Sequence, residues 1–538
     1  MSENNSAVKA TKTIHDMTTG SPAKLIVQFM IPMFLGNIFQ QFYNVADSII
    51  AGQFLGVRAL AAIGSTGSLM FFVTGWLNGL SSGFAILVSQ WFGAKQYDRM
   101  RHYVAMSVYL ALGFALLMTI GFGFANEPIL RLMNYSDQIM PDVKAYMGII
   151  YAGLIVTAAY NSLAAFLRAL GDSKSPLYFL IISAVINVAL DVAFIIFGGM
   201  GVEGCAYATV IAQGISAVLC LIYIIKKFPI LHLKKEDFKI SLSAWGRLLA
   251  LGIPMALQFS ITAIGTIIVQ GAINVYGENA MAGFSAASKL QNIIMTVFVA
   301  FGATIATYVG QNRGAGKMDR VRQGVRCTQF MIWGYSIFAM VLVFFFGRYL
   351  TWLFINPSET AVVSAAVTYF RMVFWCYPFL GSIFLYRNTL QGLGYGLVPM
   401  LGGVFELIAR AAIVYIVSGR ASFAGVCLAD PASQRDAARA AELALTKREV
   451  PAKLVVNRVS PQLFRRMNAT VDDIMDGVGL PLLGIVPDDA NVTLAAVEGK
   501  PLCQYTFQGA SLACLHIAKR LQGKRVKLMK IRRTLSGM

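Results

Sequence analysis

Residues 31–56 read IPMFLGNIFQQFYNVADSIIAGQFLG, an apolar run broken only by polar side chains at Asn37, Gln40, Asn44 and Asp47 and a few neighbours. Intervals of three and four put those four on one face of a helix. The opening of this stretch returns later in the chain: IPMFLGN at Ile31 is matched by IPMALQF at Ile253. Three further pairs keep the same register. SQWFGAKQYDRMR at Ser89 pairs with GQNRGAGKMDRVR at Gly310, LRALGDSKSP ending at Pro176 with LQGLGYGLVP ending at Pro399, and GVEGCAYAT at Gly201 with SFAGVCLAD at Ser422. An offset held near 222 residues four times marks an internal repeat.

Both copies are built of membrane-length apolar segments. Hydrophobic residues make up 57% of the 538, charged residues 13%, and the mean hydropathy is +0.63. A soluble domain carries nearer a quarter charged residues, because water must solvate its surface. Apolar runs long enough to cross about 30 Å of hydrocarbon recur from Lys24 to about Val417. They predict helices over 24–46, 59–89, 104–125, 143–168, 176–198, 205–226, 246–272, 281–310, 329–350, 364–390 and 398–418. The fold class is therefore an all-α polytopic membrane protein of two homologous six-helix lobes, the last helix of the second lobe missing.

The net charge of +19 does not indicate a nucleic-acid partner. Lys and Arg cluster in alternate short loops (95–101, 168–174, 226–239 and 313–326), whereas loops such as 198–204 lack them. This positive-inside pattern places the N-terminus in the cytoplasm. Seven scattered cysteines form no CxxC pair, so neither a zinc site nor a disulfide framework is expected. No cleavable signal peptide is read before the first span.

The organisation follows as a cytoplasmic segment over 1–23, a first six-helix lobe over 24–226, a linker over 227–245, a second lobe of five helices over 246–429, and a soluble α/β fragment over 430–538. The repeat breaks where ADPASQRDAARAAELALTKREVP begins at Ala429, too charged to span a bilayer. In the tail, KLVVNRV and PLLGIVP read as short buried strands, with helices at 471–478 and 511–521.

Acids inside spans are rare and costly, so each faces a cavity or a partner, or takes up a proton. Asp47 shares its face with Asn44, and Asp191 shares one with Asn187 and Ser183 at i−4 and i−8. Thr209 and Gln213 make a shorter stripe in the sixth helix. The repeat positions matching Asp47, Asn187 and Asp191 are roughly Val269, Arg410 and Val414, so the acidic cluster belongs to one copy only. A device needed only for packing belongs in both. Two carboxylates with amide and hydroxyl neighbours suit a proton or a Na⁺ ion, and their occupancy can bias two conformations. Ser183, Asn37 and Gln213 are equally suited to interhelical hydrogen bonds, and Glu406 with Arg410 at i+4 to a structural pair. GQNRGAGKM at Gly310 fails as a P-loop, its glycine spacing off by one and Met318 standing where Ser or Thr belongs.

The stretches quoted above, with LSSGFAILVSQWFGAK, LRALGDSKSPLYFLIISAVINVALD, GVEGCAYATVIAQ and LGIPMALQFS, resemble the multidrug and toxic compound extrusion (MATE) family over about 24–429. The resemblance implies a secondary active efflux transporter, not an enzyme, that exports drugs or other organic cations in exchange for H⁺ or Na⁺ by alternating access. It implies a bacterial cytoplasmic membrane location, no cofactor and a monomer in the lipid bilayer. It assigns cation coupling to Asp47, Asn187, Asp191 and Thr209, a helix-1 bend to Pro32, and a supporting place to Tyr146 beside Asn44, Ser183 and Gln213. The family's alternative site, a Glu in helix 7 and an Asp in helix 10, is not expected: Gln258 stands in the first region and the second has no acid. A lipid or polysaccharide flippase of the same superfold is the alternative reading, with Arg168, Arg387 and Arg410 as its cationic groups. From Asp430 the chain resembles the C-terminal part of the division-site ATPase MinD, Asn457 and Pro487 matching residues near an adenine. No P-loop accompanies them, so ATP hydrolysis is not expected.

Overall fold

Hydrocarbon offers no partner for a backbone N–H or C=O, so long apolar segments close their hydrogen bonds within helices. The computed structural model describes residues 16–418 except 134, 136, 275 and 353, and beyond them 454–459, 482–487 and 514. The helices are α1 (Pro22–Ile50), α2 (Val57–Ser65), α3 (Gly67–Gly93), α4 (Tyr97–Leu132), α5 (Met140–Ala152), α6 (Leu154–Ala169) and α7 (Lys174–Val192). They continue as α8 (Val202–Lys227), α9 (Leu242–Asn274), α10 (Glu278–Gly314), α11 (Met318–Thr351), α12 (Thr360–Val373), α13 (Tyr377–Gly392) and α14 (Leu397–Ser418).

Among the described residues, nine helical segments are long and apolar enough to cross a membrane, or ten with the bent α5–α6 pair. Eleven spans were expected. The eleventh corresponds to α14, which is helical but stands outside this set, its side chains described only to residue 412. The span expected over 143–168 is broken: α5 and α6 meet at 48°. Gly153 sits at the break, where any Cβ would strike Val210 of α8. An apolar sequence on both sides gives no sign of that bend.

The chain divides after residue 445. In the second unit β1 (Leu454–Val459) and β2 (Leu482–Pro487) pair in parallel, Leu454 opposite Leu482 and Val459 opposite Pro487. The expected boundary at 430 and the tail helices at 471–478 and 511–521 fall outside the described residues, Cys514 excepted.

Buried apolar side chains gather into separate cores. One contains residues of the first repeat copy only, from Ile50 through Tyr146 and Tyr151 to Ala206. Another gathers Val269 to Leu385 of the second copy. Helix α1 is shared between them. Its N-terminal turns place Ile26 and Phe29 in the second-copy core, whereas Ile50 at its other end belongs to the first-copy core. Pro32, buried in the helix interior, lies near the end of the second-copy attachment, which Met33 and Phe34 continue beyond it. A proline there removes one backbone hydrogen bond and weakens the helix at that turn.

The copies meet most closely along α3. Gly75, Gly79 and Gly83 recur every fourth residue and face α9, where a Cβ at Gly79 would lie 2.6 Å from Ala256 Cα and one at Gly83 2.6 Å from Gly252 Cα. Small residues let helix backbones approach within lipid, where packing rather than hydrophobicity drives association. Gly79→Leu is expected to cost about 1–3 kcal/mol or more by overpacking. The purified variant should show a lower thermal unfolding midpoint in detergent, whereas Gly113→Leu, at a glycine open to space, should not.

A second meeting point lies at the basic-loop end of the bundle. A Cβ at Gly93 would collide with the Gln311 backbone of α10, and one at Gly314 with the Gln90 backbone of α3. Gln90 Nε2 donates to the Gly392 carbonyl (2.8 Å), and Gln311 Nε2 to the Ala169 carbonyl (2.9 Å). The segment before α1 is tied in as well: Met17 N–H donates to Gln311 Oε1 (3.0 Å), and Lys317 Nζ to the Thr18 carbonyl (2.9 Å). Both copies are therefore stitched together at this end.

Candidate functional site

The two acids of the first copy sit at the ends of neighbouring helices. Asp47 occupies the last turn of α1 and Asp191 the last turn of α7. Each helix then widens into a π-helical turn, at Ala51–Leu55 and Ala193–Phe197, and the two turns touch. Beyond Asp47 the Ala51 N–H is shared between the Asp47 and Ser48 carbonyls, so the ladder changes register there. Such widened turns occur frequently at functional sites. Nothing in the residue spacing signals either one.

The carboxyl groups of Asp47 and Asp191 lie against each other at close range. Asn187 and Asp191 are fully buried, and Thr209 of α8, Tyr146 of α5 and Tyr43 of α1 are buried around them. Tyr43 faces Thr209 and Asp47, and Tyr146 faces Asp47, Asp191 and Cys205. Among the described residues, Asp47 Oδ1, both Asp191 oxygens, both Asn187 amide atoms, Thr209 Oγ1 and the Tyr43 hydroxyl are buried without a hydrogen-bond partner. Buried polar atoms are nearly always satisfied, because each orphan costs about 1–3 kcal/mol. A set of orphans converging on one carboxyl pair is a site with oxygen ligands to give.

Other expected residues have different occupations. Ser183 Oγ donates to the Ala212 carbonyl (2.8 Å), tying α7 to α8. Gln213 Oε1 accepts from Thr157 Oγ1 (2.5 Å), tying α8 to α6. Asn37 is half-buried with its Nδ2 unpartnered, Gln40 is exposed, and the Asn44 side chain lies outside the described residues. Tyr43 and Cys205 are additions that sequence reading missed. Tyr43 was within reach, since it precedes Asp47 by four residues on the same helix face.

The second copy is built otherwise at the matching positions. Val269 is buried in the apolar core, and Arg410 Nη2 donates to Glu406 Oε1 (2.6 Å), both side chains largely buried. Val414 is outside the described side chains. No group of three or more His, Cys, Asp or Glu side chains suited to a metal ion occurs among the described residues.

The MatE family model matches residues 32–193 and 251–416. The probable multidrug resistance protein YpnP of Bacillus subtilis is 32% identical over 388 residues, covering 71% of this chain and 84% of that protein. The probable multidrug resistance protein YoeA of the same organism is 26% identical over 386 residues, covering 70% of this chain and 83% of YoeA. Among solved structures, an outward-facing multidrug resistance MATE family transporter of the MOP superfamily superposes with a TM-score of 0.75. It covers 80% of this chain and 96% of its own at 20% identity.

Proposed function

Since this multi-pass membrane transporter belongs to the MatE family, we propose that it exports small-molecule drugs in exchange for a cation bound between Asp47 and Asp191. The observation that carries the reading is the first-copy carboxyl pair ringed by unpartnered oxygen and amide groups. Two unit negative charges at about 4 Å repel by roughly 4 kcal/mol at an effective dielectric of about 20. A proton or a Na⁺ ion between them removes that repulsion. The donor set fits either cation: two carboxylates, the Asn187 amide oxygen, and the Thr209 and Tyr43 hydroxyls.

Binding becomes motion only if two conformations hold the cation unequally. Helix α1 is placed to supply that difference. One of its ends carries Asp47, a turn before Ile50 of the first-copy core, the other carries Ile26 and Phe29 in the second-copy core, and Pro32 weakens the helix near that second end. Neutralising Asp47 lets its end of α1 draw closer to α7, and a bend at Pro32 passes the shift to the other copy. The names of the curated relatives support drug export, and the repeat supports two lobes rocking about a central site.

Expression in an efflux-deficient bacterium is the first check. Cells carrying the chain should accumulate less ethidium than cells carrying an empty vector, and an ionophore that collapses the proton and Na⁺ gradients should erase the difference. A difference that survives collapse removes cation exchange as the driving force.

A further inference from the structure

Two bonds related by the repeat close the junction at the basic-loop end. Gln90 of α3 donates to the Gly392 carbonyl, and its repeat mate Gln311 of α10 donates to Ala169, the repeat mate of Gly392. Ala169 ends α6, so its carbonyl finds no donor within its own helix and takes one from the other copy. Gln311 carries a further load. It is fully buried, and its Oε1 accepts the Met17 N–H from the segment before α1. With the oxygen held by Met17, the amide must aim its NH₂ at Ala169. Turned over, it would set oxygen against oxygen there, and NH₂ against the Met17 N–H.

A set of second-copy side chains cradles that segment. Asn312 Nδ2 donates to the Met17 carbonyl (3.1 Å), Lys317 Nζ to the Thr18 carbonyl (2.9 Å) and Arg320 Nη2 to the Gly20 carbonyl (3.0 Å). At the matching first-copy positions stand Trp91, Gln96 and Arg99, and there the arginine lies over the Trp91 ring instead. Met17 is 1% exposed, its side chain in the second-copy core, and Gly20, at a φ of +87°, turns the chain into α1. On the other side Asp16 lies within electrostatic reach of Tyr97 of α4, in the first copy. Closing the junction needs the paired glutamine bonds, which both copies have. A cradle built in one copy only serves something more.

We propose that residues 16–20 are a latch on this junction, which the positive-inside pattern places in the cytoplasm. Docked, they fix the Gln311 amide toward Ala169 and hold the two copies together. Undocked, they leave that amide free to turn and the junction free to open. The latch favours the closed form because its two links to the first copy, to Ala169 through Gln311 and to Tyr97 through Asp16, exist only while the copies meet. Met17 is thus a positioning residue, remote from the acids of the first copy. The inference rests on the export reading only in taking this end of the bundle to open.

The test times opening of the junction in inside-out membrane vesicles holding the full chain, with no dye and no gradient. Ser89, 1% exposed and opposite Gly310, is replaced by cysteine and alkylated with a membrane-impermeant maleimide. Labelling of the same protein with Ser89 intact is subtracted. Met17→Pro removes the N–H and should speed labelling at least about fivefold, the effect of losing one buried hydrogen bond. Gln311→Met keeps the shape, removes both amide bonds and should do the same. The two together should exceed Gln311→Met alone by less than about twofold, because they act through one amide, whereas unrelated structural damage would multiply. Lys317→Met frees the Thr18 carbonyl without altering the segment; it should also speed labelling, and it stands if Met17→Pro fails to assemble. Labelling unchanged in Met17→Pro and Lys317→Met, full multiplication in the double variant, or no labelling of any protein overturns the latch. No cation gradient enters these measurements, so their failure is distinct from a failure of cation-coupled export, which the ionophore assay reads.

Discussion

Asp191→Asn is expected to abolish cation-driven dye export while leaving the protein folded and in the membrane. The side chain is fully buried, and both of its oxygens are without a partner among the described residues. Asparagine keeps the shape and removes the charge. The pair with Asp47 then carries one negative charge at most, with no like-charge repulsion for a cation to relieve. A loss of about 1.4 kcal/mol in differential cation affinity is already tenfold, and removing a ligand of this kind exceeds that. Export should therefore fall at least about tenfold, and Asp47→Asn should act in the same direction. Ser183→Ala is the contrast. Its hydroxyl serves an α7–α8 hydrogen bond, so it should alter thermal stability more than coupling. Dye efflux at equal membrane abundance decides the matter. Full export by both aspartate variants would remove the coupling role from this pair.

The second large effect is expected from fastening the junction at the basic-loop end. Ser89 of α3 and Gly310 of α10 face each other there, and a Cβ at Gly310 would lie 3.3 Å from Ser89 Cβ. Disulfides hold Cβ atoms about 3.5–4.5 Å apart, so a cysteine pair at these positions needs only a small outward shift. The proposed alternating access requires this end to open. The oxidised Ser89→Cys/Gly310→Cys protein should lose export to the level of the empty vector, and dithiothreitol should restore it. Each single variant should stay active when oxidised, because it carries no second engineered thiol across the junction. An oxidised double variant that exports at full rate would mean that α3 and α10 never part here.

Much of this was legible in residue spacing and in the repeat. The face carrying Asp47, the i−4 relation of Asn187 to Asp191 and the absence of this acidic cluster from the second copy follow from one helical period and one offset. What escaped depends on contacts between distant helices or on local register. The break at Gly153 comes from crowding by Val210, 57 positions away in a different helix, and the π-helical turns have no marker residue. The Gly75, Gly79 and Gly83 face reads as an ordinary small-residue stripe until α9 is seen against it. Gln258 and Arg387 were each noticed, but nothing in sequence brings together an amide on α9 and a guanidinium on α13. The tail shows the other limit. Its two strands pair, and the rest of its expected content lies outside the described residues.

The central claim is that a cation held at the first-copy carboxyl pair drives export. The most direct measurement places the purified chain in proteoliposomes loaded with ethidium and imposes a pH gradient, a Na⁺ gradient, or neither. The account predicts dye movement against the cation flow under at least one gradient, none without, and loss of the driven component in Asp191→Asn. Dye movement of equal rate under all three conditions would contradict it.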